Sequence, residues 1–167
     1  MRTLAATIAA IFAASVSSAQ ESAGHTVTVT VLEQNDILIV GGDIALFAVP
    51  PLAGSVTVTN ASCDLYWGTN SNRPKKITVQ TDLATPRYQL TVEPANIREL
   101  SGNPKNGKPG EPANPQPILL AGLAPMDFID RIQRVYAACD LVYTATIYTG
   151  DSPGTETHTV TYTLTDR

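Results

Sequence analysis

The residues of this chain that could do chemistry are few and scattered. There are two histidines, His25 and His158. The period-two pattern of their segments puts both on the inward side, at the starts of the first and last strands. A metal centre needs several His, Cys or carboxylate ligands at close spacing. No such set accompanies them, so they are read as edge-of-core histidines and the chain as metal-free. Asp64 and Asp140 each follow a cysteine and point outward by parity. They are expected on opposite sheets, too far apart for an acid/base pair. Asp127 and Asp130 fall near one another on a surface turn, without the oxygen-rich loop a calcium ion requires. There is no nucleophile elbow, no phosphate-cradling glycine loop and no zinc-protease helix motif. The chain is therefore read as a non-enzyme with no catalytic residue and no cofactor.

Two aromatic residues suggest a different chemistry. Tyr66 and Trp67 stand beside an Asn- and Ser-rich loop at residues 68–74 and could form a sugar-stacking surface. They are the candidate ligand surface, although Trp67 shares parity with Cys63, which favours packing inside. Asn60, Ala61 and Ser62 match the N-glycosylation pattern.

The cysteines, Cys63 and Cys139, are the only two in the chain. Their pairing depends on compartment, and the N-terminus speaks to that. Arg2 precedes an apolar run at residues 4–14, and small residues Ser17 and Ala19 follow. This is the layout of a signal peptide over residues 1–19. The run is shorter than the ~20 strongly apolar residues a membrane span needs. The mature chain is expected without a membrane span, exported to the periplasm, cell surface or extracellular space. In such a compartment an isolated cysteine pair forms a disulfide. In the chain-entropy model, closing so long a loop contributes about 4 to 5 kcal/mol. Charged residues make up 16% of the chain and the net charge is −4, which gives no electrostatic case for nucleic acid or anionic membrane.

The elements that must position these residues read as strands. Val27, Val29 and Val31 alternate with Thr26, Thr28 and Thr30 in a half-buried strand. Further strands are predicted at residues 37–40, 43–49, 55–59, 76–81, 88–92 and 118–121. Cys63, Leu65 and Trp67 share one parity. Residues 125–133 read as one or two helical turns, since Phe128, Ile129 and Ile132 fall on one helical stripe. The longest strand spans residues 135–149, with Cys139, Leu141, Tyr143, Ala145 and Ile147 on one face. The last, at residues 156–165, turns His158, Val160, Tyr162 and Leu164 inward. Residues 99–117, crowded with Pro, Gly and Asn, read as a flexible surface loop without regular structure. The whole predicts residues 20–167 as one all-β domain, an immunoglobulin-like antiparallel β-sandwich with one inter-strand disulfide joining Cys63 and Cys139 across its sheets.

Two internal echoes stand out. Residues 25–29 resemble residues 158–162, and residues 61–66 resemble residues 137–142. The first implies that the opening strand can take a place equivalent to the last one, in its own domain or a neighbour. The Thr/Val-alternating first strand, the Cys63 and Cys139 pair and the closing hairpin at residues 135–165 together resemble the immunoglobulin-like sandwiches of exported bacterial surface proteins, including pilin and spore-coat-type subunits. The resemblance is one of strand pattern only and transfers no site residues. It implies an exported non-enzymatic structural or interaction module, such as a surface filament or matrix subunit. Its partners would be copies of itself or other surface proteins, joined by strand pairing. The alternative is a carbohydrate- or ligand-binding module of the periplasm or cell surface.

Overall fold

The computed structural model describes residues 26–102 and 107–167. The chain divides into two units, Met1–Val31 and Leu32–Arg167. In the first, residues 26–31 lie in no strand. The expected signal peptide and His25 lie outside the described residues. The second unit contains β1 (Asn35–Val40), β2 (Ser55–Thr69), β3 (Lys75–Thr81), β4 (Gln89–Gly102), β5 (Glu111–Pro112), β6 (Ile118–Leu119), β7 (Met126–Ile132), β8 (Val135–Tyr148) and β9 (Val160–Asp166). Among the described residues no helix is long and apolar enough to cross a membrane.

The strands form two antiparallel sheets, ordered β1-β2-β8-β4-β6 and β5-β7-β3-β9. From β2 onward every successive strand lies in the other sheet. The two sheets share one core, in which Leu65, Trp67, Leu141 and Tyr143 of the larger meet Ile77, Val79, Phe128 and Tyr162 of the smaller. Period-two alternation does what it predicts here: β3 buries Lys75, Ile77, Val79 and Thr81 and leaves the residues between them half-exposed.

The strand β2 shows how register is managed. Val56 and Val58 face inward on even positions, whereas Cys63, Leu65 and Trp67 face inward on odd ones. A strict alternation cannot do both. The register against β8 shifts between Asn60 and Cys63, and this irregularity moves the inward parity by one residue. The Asn60 side chain accepts from the Ser62 amide and hydroxyl at 2.8 and 2.7 Å, which fixes the distortion locally.

Three expectations are corrected. Residues 125–133 form no helical turn but the strand β7. Its pairing with β3 is irregular around Ile77, and the adjacent Phe128 and Ile129 are both buried. Two consecutive inward residues are the mark of a bulge, and in one dimension they imitate a helical stripe. Residues 43–49 form no strand, although Ile44 and Leu46 pack on the core. The break lies at Gly41, whose φ is +121° and whose Cβ, were there one, would meet the Cys63 Cα at 2.8 Å. The segment 99–117, expected to lack regular structure, is partly ordered by pairing. β4 runs on to Gly102, Lys108 bridges to Gln133, and β5 pairs with β7.

The fourth correction concerns the disulfide. Both cysteines are free, buried thiols, and they are not within disulfide distance. They do not join the two sheets, because β2 and β8 are neighbours in the same sheet. Cys63 stands opposite Leu141, and Leu65 stands opposite Cys139. The cysteines are thus diagonal neighbours across an antiparallel pair, about 7 to 8 Å apart. A disulfide needs its Cβ atoms within about 4.5 Å.

Candidate functional site

The outer face of the larger sheet carries a charged cluster. Asp64 of β2 and Asp140 of β8 are direct cross-strand partners, not carboxylates separated on opposite sheets. Two adjacent carboxylates repel, and Arg98 of β4 lies between them. Its guanidinium donates to Asp140 at 2.6 Å and to Asp64 at 2.8 Å. Asn96, held at a φ of 50°, donates to the second Asp140 oxygen at 2.7 Å. That bond, with Arg98 beside it, holds the Asp140 carboxyl below its ordinary range, and Asp140 in turn raises Arg98. One cation thus bridges two carboxylates, and both are taken up by hydrogen bonds within the cluster.

The echo between residues 61–66 and 137–142 finds its place in this pairing. The two Cys-Asp-Leu segments lie antiparallel about Asp64 and Asp140, so each cysteine faces the other segment's leucine. The echo marked the two segments as alike without saying that they pair, and Arg98 carried no signal at all, because it arrives from a strand distant along the chain.

Of the candidate ligand surface, Tyr66 is half-exposed on the outer face, with its ring centroid 6.3 Å from that of Tyr136. Trp67 is absent from any surface: it is fully buried, and its indole Nε1 donates to the Pro109 carbonyl at 3.0 Å. The structure thus separates the two residues onto opposite faces of β2. Near Tyr136, Gln34, Asp36, Asn70, Ser101 and Arg134 line an open groove of about 500 Å³.

His158 sits in a relay. Its Nδ1 lies 3.1 Å from the Thr81 hydroxyl and its Nε2 lies 3.1 Å from a Glu156 oxygen. A hydroxyl, an imidazole and a carboxylate in that order are the parts of a nucleophile–base–acid arrangement. Here Thr81 is 2% exposed, so no substrate carbonyl can approach it. Glu156 also accepts the backbone amides of Arg87 and Tyr88 at 2.6 and 3.2 Å. Burial alone would raise its carboxyl, but these amides and His158 together lower it. The network pins residues 81–88 to the segment that leads into β9. Among the described residues no group of His, Cys, Asp or Glu is arranged to hold a metal.

A second polar cluster closes one end of the unit. Lys75 is buried at 4% exposure, and its ammonium lies 2.5 Å from Glu33 and 2.5 Å from Asp166. Glu33 also accepts from Ser71 at 2.9 Å and from Asn35 at 3.1 Å. The Lys75 bond foremost, with these two, lowers the Glu33 carboxyl to about 2. Three distant parts of the chain are tied at this point.

The chain matches no family model, no curated protein and no solved structure. Function must therefore be read from the molecule itself.

What remains is the distribution of apolar surface. Among the described residues fifteen large hydrophobic ones are exposed, and ten of them fall between Val27 and Leu52. Single exposed hydrophobics are ordinary, but in residues 26–31 every second residue is one: Val27, Val29 and Val31 are 71%, 80% and 81% exposed. A period-two run of this kind is built for one buried face, and in this chain that face is open.

Proposed function

We propose that this protein is an exported, non-enzymatic structural or interaction module that joins its partners by strand pairing, as a surface filament or matrix subunit does. The observation that carries the reading is the unpaired alternating segment at residues 26–31 with its three exposed valines. An added strand gains main-chain hydrogen bonds from a sheet edge and specificity from alternate side chains. The signal-peptide layout of residues 1–19 supports export. The two-sheet all-β architecture supports kinship with immunoglobulin-like surface subunits. The strand order differs from the antibody type, where the consecutive strands D and E, and F and G, share a sheet, whereas here every strand after β2 changes sheet.

The test is light scattering after size exclusion on the protein secreted by an exporting host. Concentration-dependent oligomers that disappear in Val29→Asp are expected. Val29 is exposed, so the substitution leaves the core untouched. A strict monomer at all concentrations would count against the reading.

The groove beside Tyr136 favours a second reading, a ligand-binding module for small polar molecules such as sugars. It is lined by amide, hydroxyl and both charge types, with one exposed aromatic wall. Binding on a glycan array that Tyr136→Ala abolishes would establish it; an array without signal removes it.

A further inference from the structure

We infer that residues 26–31 of one copy add to the free edge of β9 in a second copy, giving the four-stranded sheet a fifth strand and linking subunits head to tail. This rests on the strand-pairing reading and names both its donor and its acceptor.

The choice of acceptor follows from the edges. The two sheets end on β1, β6, β5 and β9. β5 and β6 are two residues each, and β5 carries Glu111 and Pro112, the devices that ordinarily blunt an edge. β1 is six residues long but carries Asp36 and presents Ile37 and Ile39 on one side against Leu38 and Val40 on the other. Both its faces are apolar beyond Asp36. A strand with one threonine face would be mismatched there.

The edge of β9 is different. It is seven residues long, and from Val160 to Thr165 it contains no charge and no proline. Thr161, Thr163 and Thr165 are exposed, Tyr162 is buried, and Val160 and Leu164 are half-buried. Its inward row is therefore incompletely covered. Residues 26–31 have the same two faces, threonine on one side and valine on the other. Laid beside β9, they extend the threonine row outward and set Val27, Val29 and Val31 in line with Val160, Tyr162 and Leu164. The lengths correspond, and neither strand brings a charge that would need desolvation until Asp166. The echo of residues 25–29 in residues 158–162 expresses this likeness: a strand shaped like the sheet's own last strand continues that sheet. Because donor and acceptor are different segments of the chain, the contact is heterologous, and it propagates from copy to copy unless two copies exchange strands reciprocally.

The experiment is site-specific crosslinking between copies. Thr28→Cys protein is mixed with Thr161→Cys or Thr163→Cys protein, oxidised and resolved on a non-reducing gel. Thr57→Cys, an exposed β2 position in the other sheet, serves as the comparison. Cys63 and Cys139 are buried and do not compete. Donor–acceptor dimers at least tenfold above the Thr57 level, absent when the donor also carries Val29→Asp, are expected. Oligomers that form normally but crosslink no better to β9 than to Thr57 overturn β9 as acceptor while leaving strand pairing intact. A monomer at every concentration overturns both. A Thr28→Cys, Thr161→Cys double variant that crosslinks within single chains at high dilution overturns the intermolecular contact, because the strand then completes its own sheet.

Discussion

At the scale of single residues, the chain shows how little parity says about partners. Cys63 and Cys139 were correctly placed inward, yet they face leucines and not each other. The Cys63 thiol instead donates to the Gly42 carbonyl at 3.1 Å. Burial pushes the Cys139 thiol up to about 12, far from the thiolate that reacts. Neither cysteine should be alkylated by iodoacetamide in the native protein at pH 8, both should react in denaturant, and a reductant should leave the melting temperature unchanged. Loss of thermal stability on reduction would sink this account. A second residue-scale feature crosses the core. The hydroxyls of Tyr143 and Tyr162, from opposite sheets, are 2.8 Å apart and buried. Removing one leaves the other unsatisfied, at a cost of about 1 to 3 kcal/mol for Tyr143→Phe. The double Tyr143→Phe, Tyr162→Phe variant should lose less than the sum of the single losses in urea unfolding. Strict additivity would show that the two hydroxyls do not depend on each other.

At the scale of elements, stability depends on ties between segments far apart in sequence. Lys75 opens β3, Asp166 closes β9 and Glu33 leads into β1, so one ammonium holds three elements together. The Glu33 carboxyl is lowered from 4.5 to about 2 by this contact. A carboxyl favoured as the anion in the folded state contributes its full stability above its unfolded value and loses it as pH falls through the folded one. Melting temperatures should therefore decline between about pH 4.5 and pH 2 more steeply in the wild type than in Glu33→Gln. Parallel curves would remove Glu33 from the acid response. Gly110 shows the same dependence on distant elements. Its φ is +100°, and a Cβ there would meet Ile129 at 2.6 Å, which is how residues 107–112 come to lie close against β7.

At the scale of the whole molecule, ten of the exposed large apolar residues among those described lie between Val27 and Leu52, while the strands from β2 onward bury most of theirs in a shared core. A subunit that assembles through such a surface uses hydrophobic burial and main-chain hydrogen bonds, with few charges involved. On the proposed strand pairing, raising salt to about 1 M, where the screening length is about 3 Å, should leave the oligomers expected in sedimentation equilibrium undiminished. Dissociation under those conditions would point to ion pairs, and to a different surface.

The sequence by itself determined the all-β class, most strand positions and the inward faces of β2, β8 and β9, because these depend on side-chain alternation along one strand. Only the tertiary structure decided which strands are neighbours. It placed Cys63 and Cys139 in one sheet, brought Arg98 between two carboxylates and turned an apparent helical stripe into the irregular strand β7. Those outcomes depend on register and sheet order, which are set by contacts between residues distant in the chain and leave no local pattern. The segment at residues 26–31 lies at the boundary between the two. Its alternation is complete in sequence, and its lack of a partner is visible only once the sheets are built.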